Sequence, residues 1–202
     1  MIGFNIKYDE LLEASKAHPP DEAYQLVLSN KAAWNNLDNI VAFVRRWDSR
    51  VPIRNNENSL KNSLLQVKDE FGALEKIGIE NLEFNQQNVS NIKSIFKMLH
   101  DTTLQGTKRQ VTLGSIGASK LMHGVNPNLF MMWDNGICDH YGCYPNETGY
   151  IHFMWLMQQE IREVLKEHPK EEMRKETGVS LPKLLDAYNW SKHSTSKSLK
   201  NK

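Results

Sequence analysis

Charge of either sign is nearly missing from the balance of this chain: 25 lysines and arginines stand against 24 aspartates and glutamates, a net charge of +1. A protein without a surplus has no global field to draw polyanions or anionic membranes, so any site for a polyanion must be local. Cysteine is scarce as well. The two present, Cys138 and Cys143, are too few for a disulfide framework or a four-cysteine iron-sulfur cluster, and they read as reduced thiols. Uninterrupted apolar runs extend only a few residues, far short of a membrane span, and the start Met1-Ile2-Gly3-Phe4 carries no secretory pattern. A soluble, cytoplasmic protein with no membrane partner is the expectation. Alternating β-branched segments are lacking too: only Gln110 to Leu113 comes close, and it is too short to carry a sheet.

What the chain does have is apolar residues at helical spacing. Leu37, Ile40, Val41, Val44 and Trp47 form one stripe; Leu60, Leu64, Val67, Phe71 and Leu74 form a second; Val89, Ile92, Phe96 and Leu99 form a third. The strongest is Tyr150, Phe153, Met154, Met157, Ile161, Val164 and Leu165, which predicts a long amphipathic helix ended by Pro169. With 202 residues, 40% of them hydrophobic, the chain can build a substantial core without help. The fold class is therefore all-α, a multi-helix globular bundle. One helical domain, as one body or two packed lobes, is expected over residues 1–190. The polar, basic end at 191–202 is expected to lack fixed structure.

Residues 113–142 are the most specific stretch. Gly114 and Gly117 suit a tight turn, or a backbone lying close to something, that feeds a helix beginning near Ser115. On a wheel of that helix Ala118, Leu121, Met122 and Val125 share the apolar face, while Lys120 lies opposite with Ile116, His123 and Gly124. The link Asn126-Pro127-Asn128-Leu129-Phe130 then breaks the helix, and Asp134 stands where an N-cap belongs. Lys120 and Asp134 thus flank one bend. The plain readings are a solvated lysine, an ordinary helix cap and a turn without a ligand; the chemical reading is an amine and an acid sharing a hollow.

The ordered set Leu113-Gly114-Ser115-Ile116-Gly117, then Lys120, then Asp134, resembles the signature of the helix-hairpin-helix DNA glycosylase superfamily over about thirty residues. The resemblance implies that the hairpin amides at Gly114, Ile116 and Gly117 hold a DNA phosphate. It further implies that Lys120 attacks the sugar C1′ as an amine nucleophile, and that Asp134 stabilises the developing positive charge or assists proton transfer. Each role has a physical basis, since backbone N–H groups at a helix start bind anions and a desolvated lysine can be neutral enough to attack.

Other residues nearby carry weaker signals. Lys108 and Arg109, just before the hairpin, sit where phosphate contacts are wanted, and Arg45, Arg46 and Arg50 offer further cations or merely a solvated face. Trp133 and Tyr141, with Tyr144 and Trp155 close in sequence, could stack on an extruded base or pack in the core. Cys138, His140 and Cys143 lack a spaced fourth ligand unless His123 supplies it, so no metal or other cofactor is assigned. The leading function is a DNA-binding, glycosylase-like protein acting on double-stranded DNA in base excision, with optional abasic lyase action. The alternative is a non-catalytic helical module that binds DNA or a protein. A small-molecule enzyme built on His123, Asp139 and His140 comes last, because no spacing assigns an acid and a base.

Overall fold

The computed structural model describes residues 6–29, 33–48 and 51–194. The apolar stripes become helices that bury those stripes against one another. In chain order these are α1 (Tyr8–Ala17), α2 (Glu22–Ser29), α3 (Leu37–Trp47), α4 (Glu57–Gln66), α5 (Lys68–Leu74) and α6 (Gln86–His100). After two short strands come α7 (Gly114–Val125), α8 (Asn135–Tyr141), α9 (Glu147–Val164), α10 (Lys170–Thr177) and α11 (Leu181–His193). The fold is an all-α bundle, and no helix among the described residues is long and apolar enough to cross a membrane.

Local chemistry sets several helix starts. Asn85 accepts a hydrogen bond from the Asn88 amide, Asn146 from the Thr148 and Gly149 amides, and Ser180 from the Lys183 amide with Pro182 in the first turn. Each such cap satisfies a donor that the helix leaves open and stabilises it by about 1 kcal/mol. Pro169, expected to end the long helix, instead caps the start of α10; α9 has already closed at Val164.

The strands β1 (Thr103–Gln105) and β2 (Gln110–Thr112) pair antiparallel, with Leu104 opposite Val111. The Asn56 side chain holds β1 to the start of α4, donating to the Gln105 carbonyl at 3.1 Å and accepting from the Gln105 amide at 2.7 Å. Such a small ladder depends on these outside bonds, because an isolated two-stranded hairpin is marginal in water.

One hydrophobic cluster runs from Leu11 to Leu185. Tyr24, Phe43, Phe96, Phe130, Trp133, Tyr150 and Phe153 are its largest members, all essentially inaccessible. Helix α7 passes through it, packed on both α3 and α6, while α1 lies along α11. This position overturns the one-sided reading of α7. Gly117, Ser119, His123 and Gly124 are buried together with Ala118, Leu121 and Met122, because α7 has neighbours on more than one side.

At the other end, α11 continues through His193 and Ser194 is only 5% exposed. Ordered, packed structure therefore reaches four residues into the segment expected to lack it; residues 195–202 lie outside the described part.

Candidate active site

The site is assembled where α3, α7, α8 and α11 meet. The chain leaves β2 through Leu113, whose amide donates to the Thr102 carbonyl at 2.9 Å, and enters α7 at Gly114 with φ of +75°. That backbone conformation suits glycine, since a side chain there would be strained. Gly117 is not a turn residue: it lies inside α7, where a Cβ would run into the Leu113 side chain. Ile116 is half-buried between them.

Lys120 follows two turns into α7. Its side chain is 12% exposed, so it is not a solvated surface lysine. The ammonium donates to the carbonyl of Trp47, the last residue of α3, and lies 4.0 Å from Asp48 Oδ2. The final carbonyls of a helix have no partner within it and carry the negative end of its dipole, so a cation is well placed there. Asp48 is itself buried.

After α7 the link is pinned by Asn126, whose amide donates to the carbonyls of Leu74 and Glu75. A buried stretch from Leu129 to Trp133 then leads to Asp134. The expected N-cap is present: Asp134 Oδ1 accepts from the Ile137 amide at 2.9 Å. Its second oxygen, Oδ2, accepts from the Ser194 hydroxyl at 2.6 Å.

Lys120 and Asp134 line one cavity of about 630 Å³. A volume of that order accommodates a small-molecule-sized group such as a nucleobase with its sugar. Trp47, Trp133, Trp190, His18 and Pro19 contribute apolar and aromatic wall. A second ion pair, not anticipated from the sequence, also lines it: Lys183 Nζ meets Asp186 Oδ2 at 2.7 Å, the two side chains only 4% and 12% exposed. The Lys183 ammonium sits 4.5 Å from the centre of the Trp47 ring and 5.8 Å from that of Tyr24, within the range of cation–π attraction. The i,i+3 spacing of Lys183 and Asp186 was legible, but their burial was not. Asp48 and Trp190 went equally unmarked.

The remaining candidates are distributed elsewhere. Lys108 and Arg109 are exposed at the tip between β1 and β2. Trp133 is 1% exposed, packed edge-to-face against Phe96 and Tyr150, and its indole donates to the Ser115 carbonyl at 3.1 Å. It is a core residue that also borders the cavity. Tyr141 does not line the cavity; its ring is buried and its hydroxyl donates to Asn189 Oδ1 at 2.8 Å. Core packing claims both rings: Trp133 lies against Phe153 of α9 with centroids 5.5 Å apart, and Tyr141 lies against Phe153 and against His193 of α11 at 5.6 and 5.9 Å. Tyr144 is 77% exposed and Trp155 is 42% exposed, neither bordering the cavity. Arg45 pairs with Glu57 and Arg46 with Asp21; Arg50 lies outside the described residues.

Among the described residues no three metal-ligating side chains converge. Burial pushes the thiol of Cys138 up to about 12 and that of Cys143 up to about 11, so neither is a ready thiolate ligand. His123, the distant fourth ligand considered for them, is fully buried and committed. Its Nδ1–H donates to the Phe130 carbonyl at 2.7 Å, leaving Nε2 to accept from the Tyr24 hydroxyl at 3.1 Å. Burial holds its pKa down to about 4, in keeping with a neutral ring. His123 is thus structural, and a catalytic set with His140 and Asp139, both exposed on α8, does not form. Comparison with protein-family models, with curated proteins and with solved structures returns no match.

Proposed function

We propose that this protein is a helix-hairpin-helix glycosylase-like enzyme that binds double-stranded DNA and cleaves an N-glycosidic bond, with Lys120 as nucleophile and Asp134 as the charge-stabilising carboxylate. The observation that carries the reading is that these two groups, fourteen positions apart in sequence, line the same cavity. Enzymes that act on a base must take it out of the stack into a pocket, and an aromatic-walled hollow with an amine and an acid suits that demand. Lys108 and Arg109 at the tip between β1 and β2, and the amides at Gly114 and Ile116 in the open first turn of α7, are the groups proposed to hold the DNA backbone, while Gly117 lies within the helix.

The chemistry needs Lys120 as a free amine. Asp48, 4.0 Å away, is the group at hand to take its proton once substrate displaces the resting contacts. The amine nitrogen then bonds to C1′ as the C1′–N bond breaks and the base leaves with the bonding pair, to be protonated. Loss of a second proton from nitrogen and protonation of the ring oxygen opens the sugar and leaves an iminium joined to Lys120. The Asp134 carboxylate opposes the positive charge that builds at the sugar.

The test is incubation with abasic and 8-oxoguanine duplexes under borohydride, which reduces the iminium to a stable adduct. Adduct formation that disappears in Lys120→Ala supports the assignment. A panel of lesions giving neither adduct nor free base rejects it. Base release without an adduct, abolished by Asp134→Asn, indicates glycosylase action without the lyase step.

One observation favours a second reading, a non-catalytic module for DNA or a protein: Lys120 is already engaged by the Trp47 carbonyl. Binding that weakens with salt but shows no chemistry, with Lys120→Ala changing affinity alone, selects a DNA-binding module; salt-independent binding selects a protein partner.

A further inference from the structure

Between Asp134 and the end of α11 lies a contact that the proposed reaction has not used. Ser194 follows the last residue of α11, and its hydroxyl donates to Asp134 Oδ2 at 2.6 Å while the Ile137 amide takes Oδ1. Two bonds from different directions fix both oxygens, and with them the plane of the carboxylate. A carboxylate that is to face a developing positive charge is effective only if it is held in that orientation beforehand, within roughly 10–20°. The Ile137 bond alone would allow rotation about the Cβ–Cγ bond.

The end of α11 is itself secured against α8 at two other points. The rings of His140 and His193 stack with centroids 3.5 Å apart and planes 10° from parallel. Tyr141 donates to Asn189 at 2.8 Å, one turn earlier on α11. Ser194 is therefore delivered to Asp134 by packed structure, and it is only 5% exposed. We propose that Ser194 is a positioning residue: its hydroxyl orients the Asp134 carboxylate toward the cavity, and the stacked histidines hold the helix end that presents it. This inference rests on the glycosylase reading for its chemical consequence.

The experiment uses the full chain and compares Ser194→Ala with Ser194→Thr, which keeps a hydroxyl. Single-turnover release of base from a lesion duplex is measured together with affinity for a duplex bearing an uncleavable abasic analogue. Amide exchange at Ile137 is measured without DNA. Ser194→Ala is expected to slow base release by about tenfold, the effect of losing one hydrogen bond to a charged group. Affinity for the analogue should be unchanged, Ile137 should exchange faster, and Ser194→Thr should restore both rate and protection. An active wild type whose rate survives Ser194→Ala, or whose loss appears in affinity instead, overturns the positioning role and leaves the glycosylase reading standing. A wild type inactive on every lesion removes the glycosylase reading. If Ile137 protection in that inactive protein still depends on Ser194, the contact is a helix clip and the positioning role falls with the reaction.

Discussion

Two lysine–aspartate pairs border one cavity, and they are built differently. Lys183 and Asp186 lie one turn apart on the same helix, their charged atoms 2.7 Å from each other and the ammonium laid over Trp47. Lys120 and Asp48 come from different elements and stand 4.0 Å apart, with the ammonium bonded to a backbone carbonyl instead. The first pair is closed: each charge has its partner at contact distance, as buried ions require. The second is longer, and the Lys120 ammonium also bonds the Trp47 carbonyl. The two amines are thus satisfied at rest in different ways, one by a carboxylate at contact distance and the other by a backbone carbonyl with a carboxylate further off.

The largest contrast is expected in activity. Under the proposed reaction, Lys120→Met should lower adduct formation by more than about a thousandfold, the scale of losing a nucleophile, whereas Lys183→Met should leave a measurable adduct. Equal loss in both variants, read on a denaturing gel, would erase the distinction. Stability should invert that order. Lys183→Met strands Asp186 in the interior and should cost about 3–5 kcal/mol in urea denaturation, with Lys120→Met costing less because its ion pair is longer.

Acid should expose a third kind of buried group. His123 stays neutral in the native state down to about 4, but in the unfolded chain it takes up a proton near 6.5. Between those values the unfolded state binds more protons, so stability is fully present above the unfolded value and falls as pH drops through the window, by on the order of 3 kcal/mol. His193, also held down to about 4 by burial and then by its neighbours His140 and Lys192, adds a smaller contribution of the same sign because it is more exposed. Melting curves from pH 7 to 4.5 check this, and His123→Gln should flatten the slope.

Asp134 separates capping from chemistry. Asp134→Ala should cost about 1 kcal/mol, while Asp134→Asn, a comparable cap, should keep stability and lose base release. The smallest effect belongs to the hairpin tip, where Lys108→Ala should leave the melting temperature alone and reduce the slope of log affinity against log salt by about one.

Much of the candidate site could be read along the chain. Asp134 as an N-cap follows from its place before the apolar residues of α8, and the cap bond is present. Gly114 at the positive-φ entrance to α7 follows from the turn it must make. The environment of Lys120 could not be read, because a helical wheel assumes one buried face and α7 has neighbours on several. Tyr141 illustrates the opposite error: proximity in sequence to a site does not tell which way a ring points, whereas Trp133 is both packed in the core and in the cavity wall. Trp47, Asp48, Lys183 and Asp186 reach the cavity, and Ser194 reaches Asp134, from elements far away in the chain, and no local pattern assigns them to a site.

Periodicity, caps and the dearth of alternating segments determined that this chain is helical, because those signals arise from interactions between residues three or four apart. Tertiary structure alone decided which charges are buried together. Helices from the first quarter and from the end of the chain close around α7 and α8, and the hollow they leave belongs to no single segment. Burial depends on all the surfaces brought against a residue, and those surfaces exist only after the bundle has formed.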